Sequence, residues 1–220
     1  MATRRNLPFP VGAVLLLIAE IMSFFSSIFQ HLLNFLLEPD TFYPDIFLSI
    51  FIGLLFSAAR YIALAVIMLK RKSGIPLLVV LGICVLASLP NLLNSYQTFS
   101  YRLDYVIFFT ALLCLVVMVL ADMRVAFCEK LHKASTKIFK FTMILHLILS
   151  VLNRFITIAE NIDYLSPADI LTNLFSLPIT VFFCIAFIHV GKWIGALYTI
   201  TPERSAAYLL DTEKRNCKRF

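Results

Sequence analysis

The sequence predicts an all-α fold: a polytopic integral membrane bundle of six transmembrane helices with both termini cytoplasmic. Three observations carry this expectation. Six apolar stretches of about 20 residues or more fill most of the chain, and about 20 residues are what a helix needs to cross roughly 30 Å of hydrocarbon. Hydrophobic residues make up 60% of the 220, and mean hydropathy is +0.89, more apolar than a soluble domain. The basic residues fall almost wholly on one side of the stretches.

The first helix is expected over 8–37. Arg4 and Arg5 precede it as in a signal peptide, but the apolar run is too long for one and lacks a small-residue cleavage site. Glu38-Pro39-Asp40 and Tyr43-Pro44-Asp45 break the chain before a second helix over 46–69. Ser73-Gly74 and Pro76 mark a turn into the third, over 75–96. The fourth and fifth are expected over 104–126 and 138–160. Ser166-Pro167 opens the sixth, over 169–195, because serine caps exposed N–H groups and proline suits the first helical position. Residues 1–200 thus form one transmembrane domain, and 201–220 a short basic tail in which Thr201-Pro202 reads as a new helix start.

Orientation follows from charge. With the N-terminus inside, 16 of the 19 Lys and Arg lie in inside segments. Arg102 alone lies outside, and Arg60 and Arg154 lie within helices. The outer loops instead collect acids, Asp104 among them. The +6 net charge is therefore a topology signal, and it points to anionic lipids at the cytoplasmic face rather than to nucleic acid. The sequence leaves the host membrane open, and a bacterial inner membrane is the default expectation.

Of the five cysteines, Cys84, Cys114 and Cys184 fall mid-helix, while Cys128 and Cys217 fall on the basic side. No CxxC pair occurs, so neither a disulfide framework nor a zinc site is expected. Cys217 is fourth from the end, but Lys218 and Arg219 occupy positions that a prenylation box fills with aliphatics.

Ionisable side chains inside a membrane are costly, and they face the bundle interior and pair. The sequence offers Glu20 and Arg60 at similar depth on adjacent antiparallel helices. They are expected to form an ion pair, serving either as a substrate or proton site or as a structural fixture of register. Arg154, near the outer end of its helix, is expected to reach toward Glu160, Asp163 or Asp45. His146 is the histidine at mid-depth, with an interhelical hydrogen bond as its expected role. Asn91, Asn94, Asn153 and Asn173 add intramembrane polar groups. Pro90 and Pro178 lie within helices and can open cavities beside Asn91, Asn94 and Asn173. His31 and His189 stand at opposite depths, so no metal site is expected. Two echoes invite an inverted three-plus-three repeat: Arg60-Tyr61-Ile62-Ala63-Leu64-Ala65 with Arg154-Phe155-Ile156-Thr157-Ile158-Ala159, and Ser88-Leu89-Pro90 with Ser176-Leu177-Pro178.

No GxSxG, Gly-rich phosphate loop or other catalytic motif occurs, and no cofactor is implied. The leading expectation is binding or transport of a small molecule or ion within the bundle. The alternative is a membrane sensor or accessory subunit working through a separate cytoplasmic protein partner. In size and in having both termini inside, the chain resembles the substrate-binding membrane subunits of energy-coupling-factor importers. The likeness covers topology alone, and that family's helix-packing motif is missing from helix 1.

Overall fold

The computed structural model describes residues 8–37, 44–93, 99–122, 129–160 and 167–217. They form six helices: α1 (Val11–Leu37), α2 (Pro44–Leu69), α3 (Ile75–Leu93), α4 (Phe99–Asp122), α5 (Glu129–Glu160) and α6 (Pro167–Cys217). Five of them contain stretches long and apolar enough to cross a membrane; in α3 the apolar run, Ile75–Pro90, is shorter. Among the described residues there is no strand.

Several boundaries differ from expectation. α4 begins at Phe99 rather than at 104, so Arg102 and Asp104 belong to a helix and not to an outer loop. α5 begins at Glu129 rather than at 138. Lysine and glutamate are good helix formers, so a helix need not stop where the apolar layer does. α6 runs on to Cys217 instead of ending at 195, and Thr201-Pro202 opens no new helix. A proline removes one N–H bond, which a long helix with the same φ can absorb. Pro167 and Pro44 each take the first position of their helices. Asn94 and Cys128 lie outside the described residues, as do the side chains of Asn91, His31 and Cys217.

The turn from α2 to α3 is closed by backbone bonds. Lys72 N–H donates to the Ile67 carbonyl at 3.0 Å and Arg71 N–H to that of Met68 at 2.8 Å. This pair of bonds is a Schellman cap, which needs a left-handed residue at Arg71, where φ is 49°. Glycine usually fills that place. Gly74, at φ 76°, is a second left-handed residue, two before Pro76.

Each helix packs against the next in the chain, and α6 returns to α1, closing a six-membered ring; α4 and α6 also touch across it. Short links between neighbours make them antiparallel. The end where α1 begins is here called proximal and the other distal.

The apolar core fills the proximal half. Leu16 of α1, Leu64 and Met68 of α2, Leu77 and Leu81 of α3, Leu115 and Met118 of α4, Phe139 and Met143 of α5, and Phe187 and Ile194 of α6 are all fully buried there or nearly so. The ring closes by backbone contact. A Cβ on Gly12 would lie 2.5 Å from the Val190 nitrogen and 2.7 Å from the His189 carbonyl carbon. Likewise a side chain on Gly191 would meet the Phe139 ring. Trp193 Nε1–H donates to the Pro8 carbonyl at 3.1 Å and pins the chain entering α1 to α6. By contrast, Gly53 and Gly82 face open space.

Two stability predictions follow from this packing. Gly12→Ala should destabilise the bundle by about 1–3 kcal/mol, since the added methyl meets backbone that cannot yield; Gly53→Ala should not. Thermal unfolding in detergent compares the two. In the same assay Arg71→Gly should raise the midpoint, because it relieves left-handed strain worth about 1 kcal/mol.

Candidate functional site

The distal half of the ring is built differently. Polar residues recur there on one face of each long helix. On α1 they are Glu20, Ser23 and Ser27; on α5, His146, Ser150 and Arg154; on α6, Asn173, Ser176 and Thr180. Spacings of three and four residues put each set in one line along its helix. With Arg60 and Tyr61 of α2, Ser88 of α3 and Tyr101, Asp104, Tyr105 and Phe108 of α4, these lines enclose a cavity of about 540 Å³. All six helices contribute to it.

At the base Glu20 and Arg60 stand level. Glu20 is nine residues past Val11 and Arg60 nine before Leu69, which places each about 14 Å from the proximal end at 1.5 Å per residue. The two are within electrostatic reach of one another. The Arg60 guanidinium carbon lies 4.5 Å from the centre of the Tyr61 ring, a cation–π distance.

Below them an aromatic cluster divides the cavity from the core. Tyr61 meets Phe183 edge-on at 5.2 Å between centroids, Phe183 lies 4.8 Å from Phe187, and Phe108 lies 5.5 Å from Phe187. Such pairs add to the gain from burying their area.

The cavity wall between α4 and α5 carries the most closely connected polar group. His146 Nδ1 lies 2.7 Å from Asp104 Oδ1, and Ser150 Oγ–H donates to Asp104 Oδ2 at 2.6 Å. An ionised carboxylate only accepts, so Nδ1 carries the proton of that contact and Nε2 is left for an occupant of the cavity. The His146 ring also rests on Phe108, with centroids 4.8 Å apart. Arg154 is in electrostatic reach of Asp104, Tyr101 and Tyr105, and Tyr101 hydrogen-bonds Thr157 at 2.8 Å.

The lining from α1, α3 and α6 is rich in acceptors. Ser27, Ser88, Ser176 and Thr180 donate their hydroxyl protons to carbonyls of their own helices, at 3.0, 2.7, 2.7 and 3.0 Å. Their lone pairs stay available to the cavity.

Glu20, Arg60, Arg154, His146 and Asn173 therefore all line one space, and so do both members of each sequence echo, Arg60 with Arg154 and Ser88 with Ser176. Arg154 lies on the cavity wall within reach of Asp104; the side chains of Asp45, Glu160 and Asp163, its expected partners, lie outside the described residues. Asn153 is buried on α5 beside the lining, and among the described residues its amide nitrogen has no hydrogen-bond partner. His146 makes its hydrogen bond across helices, to an aspartate that sequence reasoning had left in a loop. Asp104 and Ser150 were missed, although the repeat of His146, Ser150 and Arg154 at every fourth residue marks a polar line on an apolar helix. Among the described residues no group of three or more potential ligands could hold a metal ion.

Replacing Asp104 with Ala should cost about 1–3 kcal/mol, since it orphans the part-buried imidazole N–H. Ser150→Ala should cost less, because the carboxylate keeps its contact with His146. Paired thermal unfolding curves test that order.

No protein-family model matches this chain, and no curated protein or solved structure does so either.

Proposed function

We propose that this chain is a six-span membrane protein with both termini cytoplasmic, and that its distal cavity binds a small polar solute or ion for passage across the bilayer. The polar cavity within an apolar bundle carries this reading. Charges inside the hydrocarbon layer cost about 2.5 kcal/mol or more each. Five ionisable groups gathered round one space, Glu20, Arg60, Asp104, His146 and Arg154, exceed what fixing helix register requires. A volume of about 540 Å³ lies within the range typical of small-molecule sites.

The sixth span in this proposal is α3. It packs between α2 and α4, and without it α4 would run in the wrong direction for the charge bias. The polar distal half then faces outward and the packed proximal half faces the cytoplasm. Lys133, Lys137 and Lys140 are exposed on the first turns of α5, beyond its most apolar part, where anionic headgroups would meet them. A Glu20–Arg60 ion pair at the base would hold both charges until a solute competes for one.

Native mass spectrometry of the protein, extracted in mild detergent from its own membrane, tests the reading. A small molecule should accompany the chain in stoichiometric amount. It should be lost from Glu20→Gln and from Arg60→Gln, both still eluting as folded protein on size exclusion. A stoichiometric protein partner with no small molecule would instead support the accessory-subunit alternative. Uptake of the identified solute into proteoliposomes then separates transport from binding alone.

A further inference from the structure

The charges round the cavity nearly cancel, and the remainder rests on one histidine. Among the described lining residues, Arg60 and Arg154 supply two positive charges and Glu20 and Asp104 two negative ones. With all four of these groups ionised and His146 neutral the sum is zero. With His146 protonated it is +1.

The geometry equips His146 to change state. Its Nδ1–H is held by Asp104 at 2.7 Å, and both Asp104 oxygens are engaged, one by His146 and one by Ser150. A second proton must therefore go to Nε2. The Phe108 ring packed against His146 fixes its plane.

The other titratable and charged groups facing this space are few. α4 presents Tyr101 and Tyr105 beside Asp104, and α5 presents Arg154. α2 brings Arg60 and Tyr61, and α1 brings Glu20. α6 lines the space with Asn173, Ser176, Thr180 and apolar residues, carrying Cys184 in the buried core; among the described residues α3 brings only Ser88.

We propose that His146 is a proton-binding site and that the cavity takes a small monoanion together with that proton. The inference rests on the solute-binding reading above and names its class. A net charge left inside a membrane bundle is heavily penalised. Protonating His146 alone leaves +1, and admitting a monoanion alone leaves −1. Both together restore neutrality, so each favours the other. The proton comes from water onto Nε2, where it becomes a donor to the anion, while Arg154 supplies charge from the same helix. Coupling of one proton to one anion weakens anion binding about tenfold for each pH unit above the His146 midpoint.

The test reads the proton directly. The wild-type protein, with carbon-13 in its histidine rings, is placed in nanodiscs and titrated by NMR. Titrations are run without added salt and with sodium formate, L-lactate or nitrate. The His146 signal is the one missing in His146→Gln or, if that variant does not fold, the one remaining when His31, His132 and His189 are replaced. The His146 signal should move with pH, and at least one anion should raise its midpoint. Asp104→Asn should lower that midpoint, and Arg154→Gln should abolish the anion's effect. A ring that does not titrate, or a midpoint that no monoanion moves, overturns the proposal. So does anion binding whose pH dependence survives His146→Gln and disappears in Glu20→Gln, because the proton would then sit on Glu20. A neutral or cationic solute co-purifying without effect on His146 would sink this inference and leave solute binding intact. Absence of any bound solute would count against the broader reading itself.

Discussion

Hydrocarbon offers no hydrogen bonds, so a charge carried into it must find its partners inside the protein. That constraint shapes the distal half of this bundle. Asp104 sits eight per cent exposed within a helix because His146 and Ser150 occupy both of its oxygens. Serine and threonine hydroxyls return their protons to their own helices for the same reason. The six helices close into a ring partly because the polar lines on α1, α5 and α6 need their neighbours to shield them from lipid.

The two halves divide the work. The proximal half is held by contact: Gly12 lets α1 touch the backbone of α6, Trp193 reaches the Pro8 carbonyl, and large apolar side chains fill the middle. The distal half holds a space instead. Between them, Tyr61, Phe108, Phe183 and Phe187 form a layer with the polar cavity above and the apolar core below. Movement of a solute past that layer requires the proximal packing to open. Pro90 and Pro178 each follow a lining serine by two residues, so the two helices lack a backbone bond close to the cavity and can bend there at lower cost.

The helical architecture was legible because apolar length and breakers alone specify it. Glu20, Arg60 and Arg154 stood out because a charge in an apolar run has no innocent explanation. Their gathering round one cavity was not legible, since depth along a helix says little about which way a side chain turns. Asp104 was misplaced for a physical reason. Arg102 and Asp104 look like loop residues by composition, and only the cross-helix partners on α5 reveal that the helix starts before them. The serines were overlooked because one hydroxyl is unremarkable in a membrane helix; the signal lay in their alignment with Glu20, His146 and Asn173. The ends of α5 and α6 were set too short because hydropathy marks where the membrane stops and not where hydrogen bonding stops.

The length of α6 has a mechanical meaning. One unbroken helix of 51 residues carries Asn173, Ser176 and Thr180 at the cavity and continues to Cys217 at the basic end. From Thr180 to its last turn it spans about 55 Å at 1.5 Å per residue. A tilt of about 5° at the cavity would therefore sweep the far tip through about 5 Å, with no intervening hinge of glycine-rich loop. The helix is one continuous rod whose short end lines the cavity and whose long end stands beyond its apolar stretch, so a change of tilt at one end is enlarged at the other.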